Sequence, residues 1–228
     1  MARSDACADG TREDGSLDRA RELNRAFIAI CWYKRNLLQR TNHASPAARQ
    51  PGQYSNVKIA VISDTHDHIP LLRRGAADAV EQGADAILHC GDIVAPSTLE
   101  KLIAYDVPVH AIHGNNQGDA YGFTRLVSRR DHRVTYYGQD ADIELGGRRI
   151  FVVHFPHYAR AMAATGDYDL VCCGHTHAEE AYQQDNLHGG STLVLNPGTL
   201  GGVAASATYA LVDLHSLRYE FREIGNSA

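Results

Sequence analysis

The chain reads as an α/β protein with a parallel core, followed by a second and more antiparallel sheet. Three observations predict this. Short apolar runs at residues 57–62, 85–89 and 107–113 alternate with segments of helical spacing, the connection expected of parallel strands. From Arg133 onward the pattern turns to alternation, with Val134, Tyr136, Ile143 and Leu145 in strand-like stretches and Gly146-Gly147 as a two-residue hairpin signal. Apolar runs also end, one after another, in polar loops that carry Asp, Asn or His.

The first run, VKIAVI at 57–62, reads as a buried strand that stops at a loop holding Asp64 and His66. A carboxylate and an imidazole released at a strand end have the character of divalent metal ligands. Alone the pair is weak, because Asp-x-His is common by chance. Residues 69–82 follow with Leu71, Leu72, Ala76, Ala79 and Val80 on one helical face, closed by Gly83. The strand at 85–89 then ends at Gly91-Asp92, which places Asp92 on the same carboxyl edge as Asp64, where open α/β sheets put their ligands. A short helix is expected over 97–104, and the strand at 107–113 ends at Gly114-Asn115-Asn116. Asn115 is an adequate oxygen donor to a hard metal, but Gly-Asn is also an ordinary turn dipeptide, and by itself it reads as one.

In the alternating region the last strand, ending in IFVV, runs into His154. A helix is expected from about 158 to 165, and another apolar strand at 168–173 closes in Gly174-His175-Thr176-His177. This is the strongest piece. His175 and His177 point to one side of an extended loop, and crowded imidazoles repel when protonated unless a metal or carboxylate holds them. Strands at 192–196, 209–213 and 219–224 are expected to complete the second sheet, with Asn196 and Gly198 shaping a loop beside the site. Of the other histidines, His89 and His110 read as core or interface residues and His113 and His157 as residues that orient ligands. His43, His132, His188 and His215 read as surface residues.

Composition bounds the class. With 228 residues and 44% hydrophobic content the chain can bury one substantial core plus an appendage. Its net charge of -5, from 22 basic and 27 acidic residues interspersed, offers no polybasic surface for nucleic acid or membrane. The five cysteines are odd in number and lack zinc-ribbon or C-x-x-C spacing, and Cys90, Cys172 and Cys173 lie in apolar runs. A reducing, cytoplasmic compartment follows as the default. Residues 1–54 read as an extension: a polar start, an amphipathic helix at about 17–39 whose apolar centre is too short for a membrane span, and a Pro- and Gly-containing linker. A signal peptide fits poorly, since a long charged segment precedes the apolar run. Residues 55–228 form the domain that carries the motifs.

Taken in order, Asp64-x-His66, Gly91-Asp92, Gly114-Asn115-Asn116, His154 and Gly174-His175-x-His177 resemble the calcineurin-like metallophosphoesterase superfamily, in its small prokaryotic phosphodiesterase branch. The resemblance covers about residues 57–224. It implies a four-layer α/β/β/α sandwich of two mixed sheets flanked by helices, with two divalent metals. Asp64, His66 and His177 would bind the first, Asn115, His154 and His175 the second, and Asp92 would bridge them. Manganese is the first expectation, with iron, nickel, zinc and magnesium as alternatives. The implied reaction is hydrolysis of a small phosphodiester by in-line attack of a metal-bridging hydroxide, with Asp92 and Asn115 in catalytic roles and Asn115 and Asn116 binding substrate. Relatives often dimerise, so a homodimer is admitted.

Two departures bear on the substrate. Asn116 stands where many members have a histidine that helps protonate the leaving group, and Phe155 follows His154 where the branch usually has glycine. A bulky Phe155 narrows or reorients the pocket. Two rivals are a non-catalytic protein-interaction scaffold on the same fold, which the complete ligand set argues against, and a nuclease, which would want a basic groove.

Overall fold

The computed structural model describes residues 56–129 and 133–225. The expected helix at 17–39, the linker after it, and His43 and His132 lie outside the described residues.

The chain opens on β1 (Lys58–Ile62), buried along nearly its whole length as an apolar run in a parallel sheet should be. Then come α1 (Ile69–Glu81), β2 (Ala86–His89), α2 (Pro96–Glu100) with a 3₁₀ turn at Lys101–Ala104, and β3 (Val109–Ala111). Helix α1 begins where the His68 side chain accepts from the Leu71 N–H and Pro70 sits in the first turn. Helix α3 (Ala120–Ser128), β4 (Val134–Tyr136), β5 (Asp140–Leu145), β6 (Arg148–Val153), α4 (Pro156–Thr165) and β7 (Leu170–Cys172) follow. The chain closes with β8 (Glu179–Asp185), β9 (Ser191–Pro197), β10 (Thr208–Asp213) and β11 (Arg218–Glu223).

Two mixed sheets result, ordered β11-β10-β1-β2-β3-β4 and β5-β6-β7-β9-β8. Three apolar layers bind them. One packs α1, α2 and α3 on the outer face of the first sheet, through Leu72, Leu99 and Phe123 against Ile62 and Ile87. The second joins the two sheets through Ile59, Val61 and Leu88 with Ile150, Leu170 and Leu195. In the third, Ala159 and Ala163 of α4 meet Phe151, Tyr168 and Val171. The α/β/β/α sandwich is thus observed.

Strand assignment within it differs from the sequence reading in two places. Strand β4 does not begin the second sheet but pairs parallel with β3 in the first. The hairpin β10–β11 also joins the first sheet, with β10 antiparallel to β1. Buried on both sides, β1 needs hydrogen-bond partners along both edges. Strand β2 takes one edge and β10 the other. Only the 191–197 strand of the tail enters the second sheet, parallel to β7.

Two elements carried too little signal to be read. Helix α3 is nine residues, capped by Asp119, whose side chain accepts from the Gly122 N–H at 2.8 Å. Strand β8, EEAYQQD, is a polar edge strand, and polarity protects such edges from pairing with other chains.

Candidate active site

Parallel strands β1, β2, β3, β6 and β7 all end toward one rim, and the loops after them bring the polar residues together. Backbone bonds weld these loops. The Asp64 N–H donates to the Gly91 carbonyl and that of His66 to the Asp92 carbonyl, both at 3.0 Å. The Gly174 N–H donates to the His154 carbonyl at 3.0 Å, so the second sheet's loops are tied in the same way.

The welds demand unusual backbone. Asp64, His66, Asp67, Asp92, Val94, His175 and His177 all have positive φ, while elsewhere only Ala204 and Leu217 do among the described non-glycine residues. Left-handed conformations cost of order 1–3 kcal/mol each and cluster where function holds them. Close approach also explains two glycines. A Cβ on Gly91 would lie 2.7 Å from His154 Nδ1, and one on Gly114 would collide with Asp92 Oδ1.

Seven side chains converge in two sets. In the first, His177 Nε2 lies 3.3 Å from Asp64 Oδ1 and 3.1 Å from His66 Nε2. His66 Nε2 is also 3.7 Å from Asp92 Oδ2. In the second, His154 Nε2 lies 3.4 Å from Asp92 Oδ1 and 2.9 Å from Asn115 Oδ1, and His175 Nδ1 is 2.8 Å from that same amide oxygen. Asp92 therefore turns one carboxylate oxygen toward each set. Asp64, His66 and His177, and likewise Asp64, Asp92 and His154, present donor atoms within 4.8 Å of one another, close enough to share an ion.

Imidazole orientation is fixed from behind. His154 Nδ1–H donates to the Cys90 carbonyl and His177 Nδ1–H to the Val203 carbonyl, each at 2.9 Å, so both rings turn an Nε2 lone pair inward. Asp64 is fully buried; its Oδ2 accepts from the His175 N–H at 2.9 Å. Its Oδ1 faces the first set with no hydrogen-bond partner among the described residues.

Asn116 points at Asp92: its backbone N–H donates to Oδ1 at 2.9 Å and its Nδ2 to Oδ2 at 2.7 Å. Burial alone would raise the Asp92 carboxyl. The two Asn116 bonds, aided by His154 and His66, outweigh it and hold the group below the ordinary carboxylate range.

Two residues that the sequence read as a core histidine and as a loop-shaping asparagine hold the site loops in place. Buried His89 accepts from the Gly91 N–H at Nδ1 and donates from Nε2 to Thr65 Oγ1 at 3.0 Å, tying the Asp64 and Asp92 loops together. Burial is the main cause that drives its pKa down to about 3; Asp92 opposes this, and His154 and His66 add to it. Asn196 donates from Nδ2 to the Gly174 carbonyl at 2.8 Å and to Thr176 Oγ1 at 2.9 Å, anchoring the His175–His177 loop. His113 and His157 contact other partners than the seven. His113 Nδ1 pairs with the Tyr136 hydroxyl at 2.6 Å, and His157 packs on Phe155 and Tyr158. Cys90, Cys172 and Cys173 are buried free thiols, as expected of small apolar fillers.

Two sheets whose strand ends gather carboxylate, amide and imidazole donors make a site that could hold metal ions. The sequence matches the calcineurin-like phosphoesterase superfamily domain over residues 57–217, and the chain belongs to that superfamily. It is 27% identical to a phosphodiesterase of Methanocaldococcus jannaschii over 171 residues, which cover 74% of this chain and 98% of the relative. Its fold matches an archaeal phosphodiesterase structure with a TM-score of 0.67 at 24% identity, over 74% of this chain and all of the other. A phosphoesterase structure from E. coli matches with a TM-score of 0.51 at 18% identity, again over 74% of this chain and all of the other. Among the described residues no helix is long and apolar enough to cross a membrane.

Proposed function

We infer that residues 55–228 form a phosphodiesterase dependent on two divalent metals, acting on small phosphodiesters. One observation carries the reading: two sets of nitrogen and oxygen donors meet around a single carboxylate, that of Asp92. In this reading Asp64, His66 and His177 hold one ion, Asn115, His154 and His175 the other, and Asp92 serves both.

The residues suit such ions. A buried carboxylate oxygen without a hydrogen bond, as Asp64 Oδ1 is, costs several kcal/mol unless a cation meets it, by the order of magnitude for buried charge. The inward lone pairs of His154 and His177 need the same partner. Mixed imidazole, amide and carboxylate donors suit manganese first, with iron, nickel, zinc and magnesium sharing the chemistry. When bound, the ions supply Lewis acidity that acidifies water and offsets the charge of a phosphate.

The chain's own residues do the rest. Asn115 turns its Oδ1 toward His154 and His175, which leaves its Nδ2 free to donate to a phosphate oxygen. Asn116 binds Asp92 and orients it; with an amide at that position, no imidazole there protonates a leaving oxygen. Activated diesters should therefore turn over best. The chain, stripped of metal and reconstituted with Mn²⁺, should hold two ions and prefer bis(p-nitrophenyl) phosphate to p-nitrophenyl phosphate about tenfold or more in kcat/KM. One ion or none per chain, or an equal or reversed preference, refutes it.

Three buried thiols support a reducing, cytoplasmic setting, and the interspersed charge supports a small substrate over nucleic acid. Sedimentation of the metal-loaded chain tests the homodimer that the resemblance admits.

A further inference from the structure

A cavity of about 550 Å³ opens directly beyond Asn115 and His154, within the range of roughly 300–1,000 Å³ of small-molecule sites. It runs between the loop after β3 and the face of α4, and its walls differ in kind. One wall is aromatic and apolar, with Phe151, Phe155, Tyr158 and Met162. The other is polar but carries no cation beyond the histidines: Gln117, Gln139 and Asp140 line it, and among the described residues neither Lys nor Arg does.

Phe155 sits at the junction. Its ring meets His154 edge-on at 5.1 Å and His175 edge-on at 4.8 Å between centroids, so it forms the side of the donor cluster that faces the cavity. Tyr158, one turn into α4, is 6.0 Å from Phe155 and 54% exposed, which leaves ring surface free to be covered. A phosphate held at the donors therefore sends one ester substituent past Phe155 into this space.

The chemistry of the walls selects that substituent. A second phosphate finds no Lys or Arg there and meets the Asp140 carboxylate. An acyl chain would strip water from Gln117, Gln139 and Asp140 without replacing their hydrogen bonds, at a cost of about 1–3 kcal/mol for each. A flat heteroaromatic ring satisfies both walls. Its face stacks on Phe155, Tyr158 at 79° to that ring meets it edge-on, and its own edge meets amides that both donate and accept.

We propose that this cavity receives the nucleobase of a nucleoside phosphodiester, a substrate class that rests on the phosphodiesterase reading of the adjoining site. Phe155 is the stacking surface, Tyr158 packs edge-on against the base, and Gln117 and Gln139 contact the base edge.

The test is calorimetric titration of the full chain in excess Mn²⁺ with inorganic phosphate, ribose 5-phosphate and thymidine 5′-monophosphate. The nucleotide should bind at least about tenfold more tightly than the sugar phosphate, the order that base stacking contributes. That advantage should fall below about twofold in Phe155→Gly, which removes the stacking wall, and in Ala161→Trp, which fills the cavity from an exposed position of α4. Equal affinity for the two sugar phosphates in the unaltered chain, with inorganic phosphate still bound, overturns the cavity assignment alone. So does an advantage that survives in both variants. If inorganic phosphate itself fails to bind, the cavity assignment and the phosphoester site beneath it fall together.

Discussion

The loops of the first sheet and those of the second furnish different halves of the site. After β1, β2 and β3 come both carboxylates, Asp64 and Asp92, with His66 and the amide of Asn115; after β6 and β7 come only imidazoles, His154, His175 and His177. The fastening differs too. Asp92 is gripped by two Asn116 bonds, whereas His154 and His177 are each aimed by one bond to a backbone carbonyl. The first sheet thus supplies the negative charge that draws cations in, and the second supplies neutral donors that complete each set.

That contrast sets the order of mutational effects. Asp92 faces both sets, so Asp92→Ala should remove both ions and lower kcat/KM for bis(p-nitrophenyl) phosphate by about 10³-fold or more. Metal analysis that finds one ion fully retained would break the claim that this carboxylate is shared. A second-sheet imidazole belongs to one set only. His177→Ala and His154→Ala should each cost about 10²-fold in activity and about one ion per chain. Equal loss of both ions from either variant would mean that the two sets are a single site.

Support behind the imidazoles should matter less than the imidazoles themselves. Asn196→Ala removes the donor to Thr176 Oγ1 and one of two donors to the Gly174 carbonyl, which keeps the Thr176 N–H at 2.9 Å. Urea unfolding should show a loss of about 1–3 kcal/mol, and Mn²⁺ affinity should fall about 10- to 100-fold. A loss of stability with unchanged metal affinity would confine Asn196 to packing.

How far the sequence revealed this division follows from the kind of signal each residue left. Apolar runs that stop at Asp64, Asp92, Asn115, His154 and His175 mark strand ends, because a chain leaving a buried strand must become polar at once. The second sheet was legible from the alternation after Arg133 and the Gly146-Gly147 turn, and the layered sandwich from the resemblance. Which sheet β4 and β10 enter was not, since pairing with β3 and β1 is decided by distant backbone groups that leave no local pattern. Asn116 shows the limit at a single residue. The resemblance implies substrate contact for it, and the fold adds a bond from its amide to Asp92 that no local pattern announces. His89 read as a satisfied core histidine and is one; that it ties two loops together depends on Thr65 and Gly91, which only the fold brings near.

His89 also offers the mildest test of how the first-sheet loops are held. Its folded pKa lies at about 3, chiefly through burial, against about 6.5 for an exposed imidazole. Below pH 6.5 the unfolded chain takes up a proton there that the folded chain refuses, so stability is full above pH 6.5 and falls as pH drops toward 3. Between pH 7 and pH 5 this group should remove about 2 kcal/mol from the unfolding free energy of the metal-free protein. His89→Gln keeps an N–H donor for Thr65 and cannot titrate, so the variant should be less stable at neutral pH yet lose about 2 kcal/mol less over that interval. Parallel pH profiles for the two proteins would mean that His89 takes up its proton in the folded state, and that the bond to Thr65 does not hold the imidazole neutral.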